Sequence, residues 1–151
     1  MTSGLIRASS KEADAFADIT HRLRQYRSMV ANYQACRQLY DELFPSCTPS
    51  LTGMPRTETD TYEPERWAQK RISQREMMER SLDAMREAYE ESRRMIDLVS
   101  GNYNTVLMRR YMLNESWEII ADKMHCHRHT AASWHDRAIY EIIKRLDSIG
   151  H

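Results

Sequence analysis

The densest group of chemically capable side chains lies in KMHCHRHTAASWH, residues 123–135, where His125, His127, His129 and His135 accompany Cys126. Imidazole and thiolate bind zinc, and the same groups serve as nucleophile and base in covalent catalysis. A structural zinc site needs four ligands converging tetrahedrally, and residues on one helix share a face only at spacings of three or four. His125 and His129 have that spacing, but the segment between them reads as a turn, and His127 and His135 point elsewhere. Cys36 and Cys47 belong to a distant part of the chain. No metal and no cofactor are therefore expected. Beside Cys126 there is neither an orienting third residue nor an oxyanion pocket, and the chain lacks a glycine-rich phosphate loop or an activated-serine motif. We expect no catalytic residue and no enzyme.

The elements that position this stretch follow from periodicity. All four prolines (Pro45, Pro49, Pro55 and Pro64) and Gly53 fall within residues 45–64, which marks a linker between two helical segments. Before it, residues 10–44 contain no glycine or proline, and Phe16, Ile19, Leu23, Tyr26, Val30, Tyr33 and Tyr40 recur at three- and four-residue steps, with Arg37 interrupting the seam. After it, Met78, Leu82, Met85, Tyr89, Ile96 and Val99 repeat the pattern over residues 64–99, with Ser92 as the polar exception. This second helix has proline in its first turn and stops at Ser100-Gly101, where glycine can take a left-handed cap conformation. Its other face alternates Glu and Asp with Arg, as a solvated surface does. The fold class is all-α: a long antiparallel helical hairpin over residues 1–100, for self-association or partner contact, followed by a C-terminal helix-turn-helix over residues 101–151.

In that C-terminal part, residues 103–113 form a short helix with Val106, Leu107 and Tyr111 turned inward. Asn114-Glu115-Ser116 breaks it, Ser116 caps the next helix, and Glu118 lies where the helix dipole favours a carboxylate. That helix runs over residues 117–124. His125-Cys126-His127 form the turn, and a longer helix places Ala131, Trp134, Ala138, Ile142 and Leu146 on one stripe. Ala121, Ala131 and Ala138 let the two helices approach closely, and the proportions are those of a helix-turn-helix.

Residues 109–146, RRYMLNESWEIIADKMHCHRHTAASWHDRAIYEIIKRL, resemble the promoter-reading helix-turn-helix of sigma factors, their region 4. Arg110-Tyr111, Ser116, Glu118-Ile119-Ile120-Ala121, Thr130 and Arg137-Ala138-Ile139 stand in the order of that motif. His125 replaces the usual turn glycine, His127 replaces the usual Ser or Thr cap, and Ala131 replaces a branched aliphatic residue. The whole chain, with LTGMPR at residues 51–56, is similar to phage late-gene regulators of the ArpU and RinA type. The resemblance implies base-reading positions at Arg128, His129, Ala132 and Ser133. The outward face of the last helix, which carries His129, Ser133, Asp136 and Tyr140, agrees with it. Arg128 is suited to a guanine or a phosphate, because its fork bonds two acceptors at once. Arg109, Arg110, Lys123, Thr130 and Arg137 are expected at phosphates, where they fix register.

Composition narrows the partners. The chain has 22 basic and 22 acidic residues, and only Lys11, Lys70, Lys123 and Lys144 of the former are lysines. Residues 102–151 hold seven basic and six acidic side chains, a weak field that protonation of His125, His127, His129 and His135 would strengthen. Useful affinity for double-stranded DNA is thus expected to need a homodimer through the long helices or host RNA polymerase. No segment is long and apolar enough for a membrane, no signal peptide is visible, and three cysteines are too few for a disulfide framework. These features point to the cytoplasm, and the phage resemblance implies that of a bacterial host. The function expected is that of a sequence-specific DNA-binding transcriptional regulator, and the resemblance implies that it is phage-encoded and acts on late packaging or lysis genes. The alternatives are a small terminase subunit recognising packaging DNA and a helical protein-binding adaptor.

Overall fold

The computed structural model describes residues 2–45 and 64–150 and, from residue 10 onward, their side chains. The chain is all-α: α1 (Thr2–Leu43), α2 (Pro64–Ile96), α3 (Asn102–Leu107) running into a π-helical turn (Met108–Met112), α4 (Trp117–Lys123) and α5 (Arg128–Ile149). The linker with its LTGMPR element, and with it Cys47, lies outside the described residues. α1 starts well before residue 10, where the glycine- and proline-free stretch read above begins. α2 stops three residues earlier than its apolar spacing suggests, and Leu98 and Val99 finish in tight turns that bond back to Met95 and Ile96. The carbonyls of Ile96 and Val99 both accept from Asn104 Nδ2 at 3.1 Å, so a side chain of α3 caps the end of α2. Gly101 has φ 65° and ψ −137°, a conformation open to glycine, and it serves as the N-cap of α3 rather than as the C-cap of α2.

Two compact units arise, residues 1–28 with 86–151 and residues 29–85. The division does not fall at residue 100, and the reason is apolar. Ile19 and Leu23 of α1 and Met95, Ile96 and Val99 at the end of α2 belong to the same buried cluster as Val106, Leu107, Tyr111, Ile120, Ala131, Ala138, Ile139 and Ile142. The last fifty residues are too few to close a core of their own, and the long helices supply the missing wall. Here α1 and α2 run antiparallel, joined by Arg22–Glu91 at 2.6 Å and by the Tyr26 and Tyr89 rings at 5.6 Å. Ser92, the polar exception in the seam, is fully buried with an unpartnered Oγ.

Residues 29–85 are a simpler antiparallel pair. Asn32 Nδ2 donates to Ser81 Oγ at 3.0 Å, Ser81 Oγ to Cys36 Sγ at 3.7 Å, and Arg71 Nε to Tyr40 OH at 3.2 Å. Phe44 stacks edge-on against Trp67 with centroids 5.0 Å apart. Among the described residues, no helix is long and apolar enough to cross a membrane.

Candidate nucleic-acid interface

α4 begins as its sequence requires. Ser116 is extended (φ −73°, ψ 160°), and its Oγ accepts from Ile119 N at 3.4 Å, satisfying one orphan donor. The helix ends in a double back-bond. Cys126 N donates to Ala121 O at 3.0 Å and His125 N to Asp122 O at 3.3 Å. This Schellman arrangement demands a left-handed residue at the penultimate position, and His125 takes it with φ 52°. The turn geometry expected of a glycine is therefore present with a histidine in it, at a steric cost of about 1 kcal/mol. His127 is the extended N-cap of α5 without a side-chain bond to the backbone; its ring stacks on that of His129 instead, with centroids 5.6 Å apart.

α5 is held along one side by Ala131, Ala138, Ile139 and Ile142, all fully buried, with Trp134 and Leu146 half-buried beside them. Its first two turns bring Arg128, His129, Ala132 and Ser133 together. Arg128 is 61% exposed and sits 3.7 Å from the open carboxylate of Glu118, a surface pair of little energetic weight. His129 is exposed; Thr130, Ala132 and Ser133 are half-buried; Arg137 is exposed two turns further on.

Arg109, Arg110 and Lys123 are not free arms, and the residue that organises them escaped the sequence reading. Glu115 is only 8% exposed. Arg109 Nη1 donates to its Oε1 at 2.8 Å, and Lys123 Nζ lies 3.0 Å from its Oε2, within ion-pair distance though off the hydrogen-bond direction. The Arg109 hydrogen bond, ahead of the opposing effect of burial, holds the Glu115 carboxyl below its ordinary range. Arg110 stands apart: Nη1 donates to the Glu115 carbonyl at 3.1 Å, and its guanidinium covers the Trp117 ring at 4.7 Å. The π-helical turn, closed by Leu113 N on Met108 O at 3.0 Å, is the backbone that carries Arg109, Arg110 and Tyr111 together.

His135 requires a correction. The charge expected on it at mildly acidic pH is opposed by its position, because it is buried among aromatic rings. Phe16 of α1 and Trp117 of α4 meet it edge-on at 6.2 and 5.2 Å. Its Nε2 lies 2.6 Å from Tyr111 OH and its Nδ1 2.9 Å from Asp136 Oδ1. A neutral ring with the proton on Nδ1 satisfies both partners. Burial, opposed by the hydrogen bond to Asp136, lowers the His135 pKa; burial likewise raises that of Tyr111, so the phenol keeps its proton. With Tyr111 only 3% exposed, this chain of groups is a latch tying the helices together. A signal was available: Ala131, His135, Ala138 and Ile142 follow the same four- and three-residue steps as the stripe read without the histidine.

No group of three or more His, Cys, Asp or Glu side chains suited to a metal ion occurs among the described residues. Comparison of the chain with protein-family models, curated proteins and solved structures found no match.

Proposed function

We propose that this chain is a sequence-specific DNA-binding transcriptional regulator that inserts the N-terminal turns of α5 into the major groove, with α4 crossing the backbone. The observation that carries the reading is the joint between α4 and α5. The Ser116 cap and the left-handed His125 set the two helices around a tight turn, and this leaves Arg128 and His129 exposed while Ala131, Ala138 and Ile142 anchor the opposite side. Arg128 and His129, with Ala132 and Ser133, read bases. Arg110, Thr130 and Arg137 meet phosphates, and Arg109 and Lys123 do so while Glu115 fixes their positions. The resemblance to sigma region 4 and to phage late-gene regulators supplies the remainder: a phage origin, late promoters as targets, and RNA polymerase as a partner in the bacterial cytoplasm. No catalysis is involved.

Self-association through the long helices is part of the same proposal. Leu39, Trp67, Ile72 and Met77 of residues 29–85 are exposed large apolar side chains, surface that a second copy would cover. Footprinting of the full chain on intergenic DNA of its own genome, combined with a solution mass, tests the reading. Protection upstream of a late operon by a dimer supports it. A ring of eight or more subunits protecting a packaging site would replace it with a small terminase, and no protection of any duplex would favour an adaptor.

A further inference from the structure

His135 and Asp136 are neighbours in sequence with opposite surroundings. On a helix, adjacent side chains point about 100° apart and do not face each other. His135 turns into the core, only 7% exposed, where Phe16 and Trp117 meet it edge-on. Asp136 turns outward, its side chain 59% exposed. Even so, His135 Nδ1 lies 2.9 Å from Asp136 Oδ1. The carboxylate of a surface aspartate is thus drawn back against the helix and held by a buried ring.

The ring that holds it is itself fixed. His135 Nε2 lies 2.6 Å from Tyr111 OH, and Tyr111 belongs to the π-helical turn with 3% exposure. With its proton on Nδ1, the neutral ring accepts from the phenol and donates to the carboxylate. A surface aspartate ordinarily explores several rotamers and loses that freedom when a ligand binds. Here the ordering is complete in the folded chain, which is what a recognition group needs from its supporting residues. A carboxylate has about four lone-pair sites, and the bond from Nδ1 uses one of them.

Asp136 also stands in register with residues assigned to base edges. His129, Ser133 and Asp136 recur at four- and three-residue steps, so they share one face of α5. The next member of that stripe, Tyr140, packs against Phe16 of α1 with centroids 5.3 Å apart, so α1 borders the face beyond Asp136. Recognition helices of the homeodomain type read bases with side chains spread over about two turns, the distance from His129 to Asp136. A carboxylate on such a face repels phosphates and is accommodated best opposite a base-edge donor. In the major groove cytosine presents its N4 amine, whereas adenine sets the N7 acceptor beside its N6 donor. We propose that Asp136, held by His135 and Tyr111, is a further specificity-determining residue whose carboxylate accepts from the exocyclic amine of a cytosine. The inference rests on the DNA-binding reading above and deepens it, with His135 and Tyr111 as positioning residues.

The test titrates the full chain against a footprinted duplex and against the same duplex with each base pair exchanged in turn. D136N is the informative variant. Its amide oxygen can still accept from His135, so thermal unfolding should match wild type, while asparagine pairs with adenine rather than cytosine. Wild type is expected to prefer C·G about tenfold at one base pair per bound chain, other than the one read by Arg128. D136A should lose that preference and D136N should move it to A·T, with discrimination elsewhere in the site retained. Removing the charge strengthens binding to every duplex alike, so the ratio between duplexes is the readout. Y111F, which frees the ring behind Asp136, should weaken the preference at that base pair and at no other; uniform weakening overturns the positioning role. An unchanged ratio at every base pair in D136A and D136N overturns the proposal and leaves Asp136 only as the acceptor that orients His135, while Arg128-dependent discrimination leaves the DNA reading standing. A wild-type chain without preference among duplexes overturns both.

Discussion

In residues 1–28 and 86–151, α1 and α2 rest on three further helices, and Leu23, Ile96, Val106, Leu107, Ile120, Ile139 and Ile142 are completely removed from water. Among the described residues of 29–85 the same two helices have only each other. There Phe44 and Ser81 are the buried residues among those described, while Ile72 remains 57% exposed. A pair of helices covers one stripe on each member and leaves the flanks wet, whereas a third and fourth helix turn stripes into a core. The contrast teaches that the C-terminal module is not an appendage on a hairpin. It borrows its foundation from both long helices, whose Ile19, Leu23, Met95, Ile96 and Val99 belong to its core.

That contrast breaks most visibly under truncation of core side chains. Ile139→Ala should cost about 3 kcal/mol by urea denaturation, the loss typical of a fully buried aliphatic residue that leaves a cavity. Ile72→Ala, the counterpart in the thin pair, should stay within about 0.5 kcal/mol in the monomer. Equal losses would erase the distinction between the two units. If the second loss grows with protein concentration, the exposed seam is an association surface.

The next largest effect is pH-dependent and belongs to the core-rich unit alone. The folded pKa of His135 is depressed by burial below its ordinary 6.5. Between the folded value and 6.5 the unfolded chain therefore binds more protons, and stability rises with pH. The contribution is complete above about 6.5 and is lost as pH falls toward the folded value. Thermal unfolding across pH 7.5 to 5 should show this loss in wild type, and His135→Gln should flatten it. Glu115, depressed by its Arg109 bond, adds a further loss at lower pH, as its carboxylate takes up protons. A profile unchanged by His135→Gln would contradict the latch.

Much of this architecture is legible in the residues, and the gaps have physical causes. Ser116 and the turn at His125 are readable because caps and left-handed positions are local: each is decided by its own few neighbours. The inward stripe of α5 is readable from spacing, yet His135 fell outside it because a polar ring on a core position becomes intelligible only once Tyr111 and Asp136 are seen to satisfy it. Glu115 sits in a break that periodicity marks as loop, and its role depends on Arg109 and Lys123 arriving from two different elements.

The smallest stability effect sharpens the comparison at the joint itself. His125→Gly should raise stability by about 0.5 kcal/mol, the relief of a left-handed side chain offset by the extra freedom of glycine in the unfolded chain. Its measurement is the shift in urea midpoint at constant slope, and a loss instead of a gain would mean that the His125 ring contributes packing the backbone angle does not reveal.

The central claim, that the start of α5 reads base edges, is tested most directly by Arg128→Ala in the full chain. Duplex affinity would be measured by titration against a footprinted site and against the same site with single base pairs exchanged. The account predicts loss of discrimination at one guanine-containing position, by about 1–3 kcal/mol, with thermal unfolding unchanged because Arg128 is largely exposed and lightly paired. Uniform weakening on every sequence, or full retention of discrimination, would contradict it.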